Sequence, residues 1–137
     1  MLPSNTHQQK NTIPYIAGLY FTVVAGCSAG PTRADLDGFK LLQKGQVPVE
    51  HTQAFTDCLM DGFNKAHWTM TNTNIRQQRR AECYRVESLV NSSILVSADI
   101  FDDGRVQLLE SKNAVLINTT GERKAFADCV SRFPETR

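Results

Sequence analysis

Asp99, Asp102 and Asp103 stand close together beside Gly104, and clustered carboxylate oxygens are what a hard cation such as calcium takes. The run lacks the alternating ligands and distal glutamate of an EF-hand loop. Asp-Asp-Gly is also the composition of a tight hairpin turn, which accounts for it without a metal. His51, His67 and Cys83 carry zinc-ligating atoms, yet no pair has ligand spacing such as two residues between cysteines or three between histidines. The sequence therefore assigns no metal and no cofactor. A nucleophilic enzyme needs Ser or Cys beside a base, and without a nucleophile turn or Cys-His signature no catalytic residue is assigned. Arg76, Arg79 and Arg80, with Gln77 and Gln78, form the strongest local basic run. They are binding candidates for lipid phosphates or a polyanionic glycan, or else charges guarding a sheet edge. Trp68, the only tryptophan, is a further binding candidate if half-exposed and a packing residue if not.

Ahead of these residues lies a segment that reads as an address. Lys10 leads an apolar run over residues 13–25 that closes on Val24-Ala25-Gly26-Cys27. As a helix, 13 residues span only about 20 Å, short of the roughly 20 residues that a bilayer core needs. The four closing residues resemble the lipobox of a bacterial lipoprotein precursor: an aliphatic residue three before the cysteine, two small residues next to it, and a thiol to accept lipid. The resemblance implies a signal peptide over 1–26, lipid attachment at Cys27, and membrane anchoring through fatty chains such as palmitate. Ser28, standing where an aspartate would resemble an inner-membrane retention signal, favours the periplasmic face of the outer membrane. A plain secretory signal gives the alternative, a secreted or periplasmic protein.

On that reading about 111 residues remain, enough for one small domain. With Lys10 gone, 14 basic residues face 14 acidic ones, so no global field attracts nucleic acid. With Cys27 given to lipid, Cys58, Cys83 and Cys129 remain where disulfides form. Ala54-Phe55-Thr56-Asp57-Cys58 and Ala125-Phe126-Ala127-Asp128-Cys129 match at all but one position. In each, Phe and Cys share a helix face. The favoured pair is Cys58 with Cys129, leaving Cys83 free or as an alternative partner.

These residues need elements to position them. Residues 27–50 read as a tether with one short helix over 34–44, ended by Gly45. Thr52 is placed as the N-cap of a helix to about Ala66, with Phe55, Cys58, Leu59, Gly62 and Phe63 in one stripe. Strands are expected over 67–72, 82–89, 94–101 and 106–111, with a shorter one over 114–118, while 74–81 stays open between loop, strand and helical turn. A three-residue loop at Asp102-Asp103-Gly104 sets Ile100 against Val106 and Ala98 against Leu108, keeping the apolar faces together. Thr119 and Glu122 have capping-box spacing before a last helix to about Phe133. The expected fold is an α+β domain over 51–137, an antiparallel sheet of three to four strands with both helices on one face.

The function expected from these features is non-catalytic. The chain reads as a lipid-anchored envelope protein working through protein–protein contacts, as an assembly accessory or an immunity or inhibitor protein. The alternative is a small-ligand or lipid-binding module of the periplasm using the sheet face opposite the helices, where Leu95, Phe101 and Tyr84 would form an apolar patch.

Overall fold

Val86, Val96, Ala98, Ile100, Val106 and Leu108 recur at every second position of three successive strands, so one face of the sheet must bury against something. Two amphipathic helices supply the cover. The computed structural model describes residues 36–67, 72–112 and 114–135; the leader, Cys27, the tether up to residue 35 and Trp68 lie outside the described residues. The elements run β1 (Phe39–Gln46), α1 (Thr52–Ala66), β2 (Thr73–Arg79), β3 (Cys83–Val90), β4 (Ser93–Phe101), β5 (Arg105–Ser111) and α2 (Thr120–Arg132). All neighbouring strands are antiparallel, in the spatial order β1-β5-β4-β3-β2. The class is α+β as expected, with five strands rather than three to four.

The fifth strand is the segment expected as a helix over 34–44. Its apolar residues make no clean helical stripe, and the open edge of β5 offers hydrogen bonds that residues 39–46 take, with a bulge at Leu42. Gly45 lies where a Cβ would come 3.2 Å from both Val106 and Val130. Residues 74–81, left open above, fall mostly in β2, while 114–118 forms a 3-10 turn at Ala114–Leu116 instead of a strand.

The β4–β5 hairpin follows the expected register, with Ile100 opposite Val106 and Ala98 opposite Leu108. Gly104 has φ +87°, the left-handed conformation that an L side chain adopts only under strain, and its carbonyl accepts from Val47 N–H at 2.9 Å. On the helix side, Phe55, Leu59 and Phe63 of α1 and Phe126 and Cys129 of α2 close the core. Each of these Phe and Leu side chains, fully buried, contributes about 1.5–3 kcal/mol. Small residues let the helices approach: a Cβ on Gly62 would fall 2.6 Å from that of Ala125, and one on Gly121 would fall 2.7 Å from that of Ala66. Cys58 and Cys129 are joined by a disulfide across this contact, and Phe55 meets Phe126 edge-on at 5.8 Å, as the repeated pentapeptide suggests.

Both expected caps are replaced. His51 precedes α1, and Thr52 instead donates its hydroxyl to the Val49 carbonyl at 3.0 Å. Thr119 sits at the cap of α2 but gives its hydroxyl to Glu110, which also accepts from Arg123 at 2.8 Å. Glu122, freed from any capping role, turns inward.

Candidate functional site

Glu122 is fully buried in the first turn of α2, where it meets His67 from the end of α1 and Ser88 from β3. Its Oε1 accepts the Ser88 hydroxyl at 3.1 Å and is in hydrogen-bond contact with His67 Nε2, while Oε2 is buried with no hydrogen-bond partner. The residue types are those of a hydrolase triad, but the order is not. Nucleophilic activation puts the imidazole beside the serine so that it takes the hydroxyl proton. Here the carboxylate stands between them, and the serine is fully buried. The arrangement therefore clamps two helix ends to the sheet. Glu122→Ala leaves the His67 and Ser88 groups buried without their acceptor, an expected loss of about 2–3 kcal/mol in urea unfolding. An unchanged midpoint would remove the clamp from the account.

A second polar group lies on the sheet face away from the helices. Register places Arg76, Glu87, Ser97 and Leu109 in one row across β2, β3, β4 and β5, and Gln78, Arg85, Asp99 and Gln107 in the next. Arg76 donates to Glu87 at 2.5 and 3.0 Å, Arg85 Nε to Asp99 at 2.8 Å, and Gln107 to Asp99 at 2.9 Å. Arg85, Glu87, Ser97 and Asp99 are 0% exposed. The Arg85 Nη1 and Nη2 nitrogens have no hydrogen-bond partner. Ionised groups enter such a setting only when paired, because desolvation costs several kcal/mol per ion.

At the hairpin end, the candidate calcium carboxylates are held by arginines. Arg79 forms a forked pair with Asp102 at 2.6 and 2.7 Å, and Arg105 binds Asp103 at 2.7 Å. Those hydrogen bonds hold both carboxyls below their ordinary range. Asp99 belongs to the buried face and faces Arg85. His51 packs its ring on Phe133 at 5.5 Å, far along the fold from the His67 clamp and from Cys83 in β3, so the zinc candidates do not converge. No group of three metal-ligating side chains occurs among the described residues.

The basic run is split by the strand that carries it. Arg76 points to the buried polar face, Arg79 to the helix side over the Tyr84 ring at 4.7 Å, and Arg80 donates to Gln78 at 2.8 Å. Tyr84 is thus partly buried against the helix-side core, not with Leu95 and Phe101 on the opposite face. Cys83 is fully buried and disulfide-bonded, which corrects the expectation of a leftover thiol. The roles of Glu122, Arg85 and Glu87 were not foreseen. Polar residues alternating with apolar ones read as a solvated strand face, and nothing local marks them as buried.

Among the described residues, Leu41, Val49, Val115 and Leu116 are the exposed large apolar side chains, and the last two are adjacent. In the turn before α2, Val115 and Leu116 are 84% and 96% exposed while Ala114 anchors the turn beneath them. Leu116 borders a hollow that also has Ala66, His67, Ile117, Asn118 and Gly121 on its walls. The chain matches no protein-family model, no curated protein and no solved structure.

Proposed function

We propose that this chain is an exported, non-catalytic protein of the bacterial envelope that acts by contacting another protein. The observation that carries the reading is the Val115-Leu116 outcrop, two adjacent aliphatic side chains held out from a 3-10 turn beside a shallow hollow. Such a pair suits an apolar cleft on a partner. The leader and the Cys58–Cys129 disulfide support export to an oxidising compartment. The pairing of Glu122 with both Ser88 and His67 supports a structural use for the residues that most resemble a catalytic set. Lipid at Cys27 and a place at the outer membrane are the form of this reading that Val24-Ala25-Gly26-Cys27 supports. A plain secretory signal over the same apolar run supports the alternative, a secreted or periplasmic form.

The test is cross-linking in cells from a photoreactive residue at position 115, which should trap one envelope protein. Replacing Val115 and Leu116 together by aspartate should weaken that partner's binding at least tenfold, roughly 1.4 kcal/mol or more. Thermal stability should stay within the roughly 0.5 kcal/mol typical of surface changes. Equal binding by the double variant overturns the contact site, and an enzymatic activity lost on one polar substitution overturns the non-catalytic reading.

A further inference from the structure

We infer that the partner segment met by the Val115-Leu116 turn is acidic, and that its carboxylates enter a basic recess on the other flank of the turn, at Lys40, Lys112 and Arg123. This rests on the proposed contact reading and names the chemistry of what the turn meets.

Register builds the recess. Glu110 follows Leu108 at the alternate position of β5 and Lys40 of β1 lies opposite it, so both face the side of the sheet that carries the helices. The chain reaches α2 only at Thr120, after the Ala114–Leu116 turn. Between the turn, this corner of the sheet and the start of α2 lies an open hollow of about 330 Å³, with Lys40, Glu110, Lys112, Val115, Ile117 and Arg123 on its walls. Leu116 borders the hollow beside His67, so the turn stands between two recesses.

Charge sets the first recess apart. Three cations there stand against one carboxylate. Glu110 is held by Thr119 and Arg123, whereas Lys40 and Lys112 are exposed and form no ion pair among the described residues. Other exposed cations are matched: Arg79 with Asp102, Arg105 with Asp103, and Lys124 with Asp128. Burial alone would raise the Glu110 carboxyl, yet hydrogen bonds from Thr119 and Arg123 and the charges of Arg123 and Lys40 hold it below its ordinary range. Negative charge is thus favoured in this recess even where water is partly excluded. Two lysines remain beyond what Glu110 can answer, and a carboxylate brought by a partner complements them.

Shape favours a protein segment over an anionic lipid surface. A bilayer presents its charges in one plane and leaves a recess unfilled, whereas a side chain of a looped or extended segment enters one. The turn is held for such a fit. Ile117 N–H donates to the Ala114 carbonyl at 3.0 Å, Thr120 N–H to the Asn118 side chain at 2.9 Å, and Lys112 N–H to the Gly38 carbonyl at 2.9 Å. The segment that fits carries Asp or Glu close to an aliphatic residue. Its carboxylate meets Lys40 and Lys112 while its aliphatic side chain packs on Val115 and Leu116.

The experiment pans a display library of random short peptides against the protein extracted from cells. Enriched sequences should carry Asp or Glu near Leu, Ile, Val or Met, and their affinity should fall as salt is raised. Lys112→Glu should weaken them roughly fivefold or more, and Lys44→Glu, the same charge change on β1 outside the recess, less than about twofold. Enrichment of neutral or basic sequences, no enrichment, or equal loss in both variants overturns the inference. So does sedimentation with phosphatidylglycerol vesicles, and not with phosphatidylcholine vesicles, that Lys112→Glu abolishes, because the recess then serves a membrane. Peptides that need the turn but are indifferent to Lys112→Glu overturn this inference and leave the contact reading standing. Acidic peptides sensitive to Lys112→Glu but indifferent to Val115→Ser with Leu116→Ser keep the recess and overturn the turn as the contact site.

Discussion

Asp99→Ala should destabilise the folded protein by about 3–5 kcal/mol, because it leaves the Arg85 guanidinium fully buried with no counter-charge. Asp99 also accepts from Gln107, so the same change strands an amide donor. The pair itself need not be a net source of stability. Its Coulombic attraction must first offset the cost of taking both ions out of water, and Arg85 recovers only one of its hydrogen bonds from Asp99. The sharper expectation therefore concerns the double variant Arg85→Leu with Asp99→Leu. It should regain most of what Asp99→Ala loses, since two apolar side chains in a covered face carry no desolvation penalty. Urea unfolding of wild type, single and double variants measures this directly. A single variant within 1 kcal/mol of wild type would mean that water reaches Arg85 and that the face is not sealed.

That buried face is also where reading the sequence falls short. The strands β3 to β5, the hairpin register and both long helices were legible because each rests on local periodicity or a turn with one satisfactory geometry. Ile100 can meet Val106 only if Gly104 takes the left-handed position. The cysteine pairing was legible because Phe55 and Phe126 mark the same face as Cys58 and Cys129. By contrast, residues 39–46 form a strand because the edge of β5 needs a partner, a non-local demand. Glu122 and Thr119 have capping-box spacing, yet Glu110 and the His67–Ser88 pair compete for them across 9 to 55 residues of sequence and win. Whether Arg85 and Glu87 sit in water or beneath another layer depends on what lies over the sheet, and alternation along one strand reports only that successive side chains point opposite ways.

Breaking the Cys58–Cys129 bridge should cost about 4 kcal/mol, as a bond spanning 71 residues restricts a large unfolded loop. For a domain of this size that is a fall of roughly 15 °C in melting temperature. The loop it closes contains all of β2 to β5, so the bridge fastens the first long helix to the last around the whole meander. Cys58→Ala, Cys129→Ala and the double variant should lose nearly the same amount, since either single change removes the whole bond. Cys129 is 2% exposed, so its truncation should add a small packing loss that Cys58→Ala does not. Additive losses in the double variant would show that the two sulfurs contribute independently rather than as a bridge. The bridge should also govern how the protein opens. Without it α2 is held mainly by Phe126, Val130 and the Glu122 clamp, against a sheet whose central strands pair on both sides. Hydrogen exchange in Cys58→Ala should therefore speed first at the α2 amides while β3 and β4 keep exchanging only with global unfolding, separating two units that the bridge makes one.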